Sequence, residues 1–197
     1  MLKPLMNLAK LVFCGAAFAV LAAQAEVKQI KDVLGREVAV DVPVKRAILT
    51  FYYPDYIAAT GADNFRNVVG ISREFWEKFN PGSWAQFTEK MPFLKDIDDV
   101  GYVISNTFST EKALALKPDV LVIPCVGFQV LDGHPYRLGY GGGFYDRTLA
   151  LPAFRTTGSV GVAYDQAETS SWAPDVWDMP LSMLLTPSRC IVAMASP

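Results

Sequence analysis

Residues 137–147 read Arg-Leu-Gly-Tyr-Gly-Gly-Gly-Phe-Tyr-Asp-Arg, with Gly139, Gly141, Gly142 and Gly143 inside five positions. Glycine has no Cβ, so the backbone approaches an anion closely, and successive N–H groups ahead of a helix cradle phosphate. Arg137 and Arg147 flank the segment as phosphate partners, and Asp146 is a carboxylate for the magnesium side of a nucleotide. Each charge-assisted hydrogen bond contributes about 1.5–3 kcal/mol net, so a handful would hold a triphosphate. No Gly-Lys-Ser/Thr follows, which excludes a P-loop, and Phe144 stands where a dinucleotide fingerprint needs its third glycine. A plain tight turn remains the other explanation of the glycine run.

Other residues carry weaker chemistry. Tyr52, Tyr53 and Tyr56 follow an apolar run, where an open α/β sheet presents its binding loops, and phenolic side chains there can meet an iron chelate. Packing beneath a loop explains them equally simply. Phe75, Trp76, Phe79, Trp84 and Phe87 line the same cleft or fill a core. His134 is the only histidine, and with no second His or Cys beside it a solvated turn explains it better than metal ligation. Cys125 and Cys190 pair in an oxidising compartment or stay as two buried thiols.

These residues need elements to hold them. Val38 to Val40, after Gly35-Arg36, reads as one arm of a hairpin, and Arg46 to Phe51 as a buried strand. Pro54 to Thr60 suits a short helix stopped by Gly61, and Val68 to Ile71 a further strand. Ser109 caps a helix with Ala113, Leu114 and Leu116 on its apolar face, ended by Pro118. Asp119 to Pro124 is a continuous apolar strand of the kind buried in parallel sheets, and Phe144 to Ala150 a helix after the glycines. The alternation predicts an α/β fold: a layered, Rossmann-like, mostly parallel sheet flanked by helices.

The 197 residues are enough for one domain or two small ones. A hydrophobic fraction of 51% against 19% charged, with mean hydropathy +0.21, excludes a disordered chain. A net charge of −2 without a basic stripe excludes nucleic acid as a partner. Lys3 and Lys10, the apolar Leu11 to Leu21 and Ala23-Gln24-Ala25 have the pattern of a signal peptide cleaved after Ala25, which implies a periplasmic or secreted protein. The apolar run is shorter than the roughly 20 residues that span a bilayer, so no membrane span is expected after cleavage.

Two resemblances follow. Asp32-Val-Leu-Gly-Arg36 with Val38 and Val40, Val44-Lys-Arg-Ala-Ile48, Val69-Gly70-Ile71 and Thr110 to Val122 make residues 27–123 resemble the N-terminal lobe of periplasmic binding proteins serving ABC importers of siderophores, haem or cobalamin. That likeness implies an iron-chelate ligand held between two lobes, with Tyr52 and Tyr53 as possible contacts, and a transporter permease as partner. The glycine string, with Pro118 to Phe128, Gly161-Val-Ala-Tyr-Asp-Gln166, Trp177-Asp-Met-Pro-Leu181 and Leu185-Thr186, makes residues 118–192 resemble 5-formyltetrahydrofolate cyclo-ligase. Those ligases use ATP and Mg²⁺ to activate the formyl oxygen, after which N10 closes the ring to 5,10-methenyltetrahydrofolate, releasing ADP and phosphate. The likeness implies that Arg137, Gly139, Gly141, Gly142, Gly143, Tyr145 and Arg147 hold ATP, and that Asp146, with Arg147, serves catalysis and places the metal. Gln129 to Pro135 is longer than the expected turn, Asp175 stands where Glu is common, and residues 26–117 match nothing of that enzyme's N-terminal half.

The chain therefore divides into a signal segment at 1–25, a binding-protein-like segment at 26–117 and a cyclo-ligase-like segment at 118–197. Three readings compete: an ATP-dependent ligase forming a C–N bond, a truncated solute-binding protein, and a gene-junction product without activity. The most specific motif favours the ligase.

Overall fold

The computed structural model describes residues 26–31, 37–42, 44–51 and 53–194. The signal-peptide segment and Tyr52 lie outside the described residues. A two-stranded antiparallel ribbon pairs β1 (Glu26–Lys31) with β2 (Glu37–Val42), the hairpin expected around Val38 to Val40.

Seven further strands form one sheet, and two others a separate hairpin. The strands of the sheet are β3 (Ala47–Leu49), β4 (Val68–Ile71), β5 (Asp98–Asp99), β6 (Val120–Pro124), β9 (Gly158–Val162), β10 (Met183–Leu185) and β11 (Cys190–Val192). They lie in the order β11-β10-β9-β6-β3-β4-β5, and every pair is parallel except β10 with β11. The mostly parallel α/β sheet matches the expectation. Strand β6 sits in the middle, bonded to β3 on one side and β9 on the other. The strand where the two resemblances meet thus joins both segments in one sheet.

Side chains alternate across the sheet with the period of two that a strand imposes. Ile48, Leu121 and Ile123 enter a core with Val100 and Ala113 from the first segment and Tyr145, Leu149, Leu184 and Ile191 from the second. Ala47 and Leu49 enter another with Tyr53, Phe65, Trp76 and Leu94, against which Val120 and Val122 pack. Helices α1 (Tyr53–Thr60), α2 (Arg73–Phe79) and α3 (Pro81–Lys90) supply this second core. Helices α4 (Thr110–Ala115) and α5 (Phe144–Leu149) cover the first.

Local chemistry explains the boundaries. The Ser109 side chain accepts a hydrogen bond from the Lys112 N–H at 3.2 Å, capping α4. Gly61, at φ +85°, ends α1 and donates to the Ile57 carbonyl at 2.8 Å. The Asp119 carboxylate accepts from the N–H groups of Lys45 and Arg46 at 3.0 and 2.9 Å, aligning the start of β3 with that of β6. Arg46 in turn donates to the Leu116 carbonyl from Nε and Nη2. The strand expected over Arg46 to Phe51 is shorter, because only Ala47–Leu49 find ladder partners on both sides.

Candidate active site: a composite cavity at the sheet's carboxyl edge

The strand order reverses between β3 and β6: β4 and β5 continue to one side, β9 and β10 to the other. Open α/β sheets bind ligands outside the carboxyl ends of strands at such a point. A cavity of about 820 Å³ lies there, lined by Phe51 after β3, Tyr102 to Ile104 after β5, Pro124 at the end of β6 with Cys125 and Val126 beyond it, and residues 137–146. Trp172, Asp175, Trp177 and Asp178, beyond β9, complete the lining. The volume is in the range of small-molecule sites, roughly 300–1,000 Å³.

The glycine segment reaches this edge through a hairpin. Strand β7 (Gly127–Leu131) pairs with β8 (His134–Leu138) around Asp132-Gly133, whose φ angles are +50° and +77°. Two consecutive left-handed residues make the tight turn whose twist suits a two-residue hairpin. Gln129 to Pro135 is therefore not an extended turn, and the Asp-Gly pair was the sequence signal for it. His134 opens β8 opposite Leu131 and is half-buried.

Beyond β8, Gly141 and Gly143 take φ +79° and +59°, backbone that side chains rarely adopt. A Cβ on Gly141 would meet nothing within 4 Å, so the loop presents bare backbone at the cavity rim. A Cβ on Gly142 would stand 2.8 Å from the Phe144 ring. Helix α5 begins at Phe144 as expected and ends at Leu149. Its buried side is seated on the first segment: Tyr145 meets the Phe108 ring edge-on at 5.9 Å, and the Thr148 and Thr110 hydroxyls lie 3.1 Å apart.

The charged residues behave unequally. Arg137 donates from Nη2 to Asp146 Oδ2 at 2.7 Å, and both side chains are buried. The other Asp146 oxygen accepts the Met179 N–H at 3.2 Å, and the Arg137 guanidinium lies 4.8 Å from the centre of the Tyr145 ring. The Nε–H of Arg137 is buried without an acceptor. Arg147 is exposed and rests over the Phe144 ring at 4.9 Å. Burial pushes the Tyr145 hydroxyl up to about 12, against a hydrogen bond with Thr50 that works the other way. Burial likewise pushes the Cys125 thiol up to about 12, opposed by nearby Arg137, so Cys125 stays protonated in the cavity wall. Cys125 and Cys190 are not joined in a disulfide; Cys125 is buried, and Cys190 is half-buried rather than the buried thiol expected.

The glycine rim and exposed Arg147 fit the phosphates of a nucleotide. Both Asp146 oxygens are already engaged, by Arg137 and by the Met179 N–H, and among the described residues no group of three or more His, Cys, Asp or Glu could hold a metal by itself.

The expected chelate contacts fare differently. Tyr53 is 1% exposed, stacks on Trp76 at 4.7 Å and donates its hydroxyl to the Ser72 carbonyl at 2.6 Å. It is a core residue at the start of α1 and not a cleft residue, because the helix turns it away from the strand end. Tyr56 is half-buried against Phe65. Phe75, Trp76, Trp84 and Phe87 form the aromatic core of the second layer, with Phe79 at its exposed margin. The residues missed from sequence are Phe51 and Tyr102 to Ile104; nothing in their spacing marks them, since the sheet order alone brings them to the glycine loop.

A model of the 5-formyltetrahydrofolate cyclo-ligase family matches residues 103–187. The 5-formyltetrahydrofolate cyclo-ligase of Escherichia coli K12 is 44% identical over 71 residues, 36% of this chain and 37% of that protein. The enzyme of the same name from Haemophilus influenzae is 40% identical over 67 residues, 34% of each chain. Among solved structures, the TroA-like periplasmic binding protein FepB of Veillonella parvula is 31% identical, covering 50% of this chain and 29% of that one, with a TM-score of 0.43. The 5,10-methenyltetrahydrofolate synthetase of Aquifex aeolicus is 32% identical over 41% of this chain and 38% of that one, with a TM-score of 0.30. The chain spans little more than a third of the length of these cyclo-ligases from E. coli and H. influenzae, and the glycine string lies within the matched residues.

Proposed function

We propose that the chain binds ATP as the phosphate-side half of a 5-formyltetrahydrofolate cyclo-ligase site. The observation that carries this reading is that residues 137–146, inside the family-matched segment, line a cavity at the sheet's switch point. Gly139, Gly141, Gly142 and Gly143 let the phosphates approach the backbone. Arg147, exposed beside the loop, supplies the cation that neutralises developing charge. Asp146 and Tyr145 hold Arg137 in place, and magnesium arrives with the nucleotide, not on a protein carboxylate. ATP supplies the phosphoryl group that activates the formyl oxygen of 5-formyltetrahydrofolate for ring closure. Residues 26–117 carry no counterpart of that enzyme's N-terminal half, neither its basic residues reaching the triphosphate nor its folate segment, so ring closure is slow or absent in this chain alone.

Export to the periplasm is part of the proposal and rests on the sequence of residues 1–25. No helix among the described residues is long and apolar enough to cross a membrane. The solute-binding alternative, with a permease as partner, has lost Tyr53 to the core and depends on Tyr52, outside the described residues.

Calorimetric titration with ATP and Mg²⁺ tests the reading, run beside Gly142→Val and Arg147→Ala, both exposed positions where folding should survive. The expected result is binding by the parent and at least a tenfold loss in each variant. A folded parent that ignores ATP, or unchanged affinity in Gly142→Val, would sink it. With binding established, 5,10-methenyltetrahydrofolate formation is followed by absorbance.

A further inference from the structure

Tyr145 is held at both ends. Its hydroxyl is buried and hydrogen-bonded to Thr50, which follows β3 directly and is fully buried in the first segment. Thr50 in turn donates its Oγ1–H to the Val122 carbonyl at 2.9 Å, which secures it to the central strand β6. A hydroxyl has one proton to give and two lone pairs, so Thr50, with its proton committed, accepts from Tyr145. The ring of the same tyrosine carries the Arg137 guanidinium, whose buried Nε–H has no acceptor. A relay therefore runs from the Val122 carbonyl through Thr50 and Tyr145 to an arginine in the cavity lining.

We infer that Thr50 is a positioning residue for the glycine-rich site: through the Tyr145 hydroxyl it fixes the ring on which Arg137 rests, and with it the direction of the spare Arg137 Nε–H. The bond from Arg137 Nη2 to Asp146 holds one corner of the guanidinium and leaves it free to swing about that contact. The tethered ring face opposes the swing. Thr50 lies outside residues 103–187, so the first segment contributes a part of the site that the family match does not contain. Valine in place of Thr50 keeps the volume and removes the acceptor. A buried donor left unpaired is costly, so the Tyr145 hydroxyl then turns toward another partner and takes the ring with it. Serine keeps the oxygen and the tether. The consequence for nucleotide affinity rests on the ATP reading proposed above; the orientation of Arg137 does not.

The test reads both on the full chain, with Thr50→Val, Thr50→Ser, Tyr145→Phe and the double variant Thr50→Val/Tyr145→Phe. In ligand-free protein carrying isotope-labelled arginine, the Arg137 Nε–H resonance is assigned by its disappearance in Arg137→Lys. It should move in Thr50→Val and in Tyr145→Phe, and stand at the parent's position in Thr50→Ser. In titration with ATP and Mg²⁺, at a temperature where each variant is folded by circular dichroism, Thr50→Val should lose about fivefold in affinity, the worth of one hydrogen bond, and Thr50→Ser almost nothing. The double variant should lose no more than Tyr145→Phe alone, because both substitutions break the same bond. Should Thr50→Val fail to fold, Tyr145→Phe, which keeps the bond from Thr50 to Val122, carries the same comparison with the parent. An Arg137 resonance that stays put, additive losses in the double variant, or unchanged ATP affinity in Thr50→Val beside a parent that binds would each overturn the inference. A folded parent that ignores ATP sinks the nucleotide reading instead, and the Arg137 resonance then decides the positioning role by itself.

Discussion

Asp146 shows how one carboxylate changes meaning once its neighbours are known. In sequence it sits beside the glycines as a metal ligand; in the fold it closes a buried pair with Arg137 at 2.7 Å and accepts the Met179 N–H. Removing one member of a buried ion pair leaves the other charge unpaired, which costs about 3–5 kcal/mol. Asp146→Ala should therefore shift the urea midpoint strongly downward, and a midpoint close to the parent's would show that the pair contributes little. Loss of ligand binding in that variant would report unfolding and not metal loss, which is why Arg147→Ala and Gly142→Val are the sharper probes. Arg147, exposed beside the loop, keeps the proposed role of phosphate cation. Arg137 was legible only as a charge, since its partner lies nine residues away across a loop.

At the scale of elements, the β7–β8 hairpin decides where the loop points. Asp132 and Gly133 both adopt positive φ, and Gly133 also lies close to Met194. A non-glycine residue in the left-handed region costs about 1–3 kcal/mol, and a branched one sits at the upper end. Gly133→Val should lower stability by that amount in equilibrium denaturation and weaken ATP binding through the displaced hairpin; unchanged denaturation would contradict the turn. The helices were readable where a cap or stop is local, as with Ser109 and Gly61. Strand β3 was readable as apolar but not in length, because its ends depend on where β4 and β6 stop pairing. The hairpin was hidden by the expectation of a plain turn, although Asp-Gly flanked by apolar residues is a strong local signal.

For the whole molecule the central fact is that β6 bonds to β3 of the first segment and to β9 of the second. Leu121, fully buried at its middle, touches a core built from residues on either side of the junction. Leu121→Ala should cost about 2–5 kcal/mol through lost burial and a residual cavity. Because the sheet is continuous, that loss should move two signals together: far-UV circular dichroism from all strands, and tryptophan fluorescence, which includes Trp76 and Trp84 in the first segment. Non-coincident transitions would mean the segments unfold separately.

The sequence by itself determined the class of fold, the apolar strands, the glycine rim and the resemblance of residues 118–192 to the cyclo-ligases. Each is encoded in contiguous residues: period-two and period-3.6 patterns, capping side chains, and a run of residues without Cβ atoms. The tertiary structure alone decided that the two segments share one sheet and that Phe51 and Tyr102 face the glycine loop. It also decided that Tyr53 is core and that Asp146 holds an arginine. Those outcomes depend on strand order and on side chains far apart in the chain, and no local pattern carries a strand's choice of neighbour. Parallel strands bond across long crossovers, so the cavity at the switch point exists only once β3, β6 and β9 lie side by side.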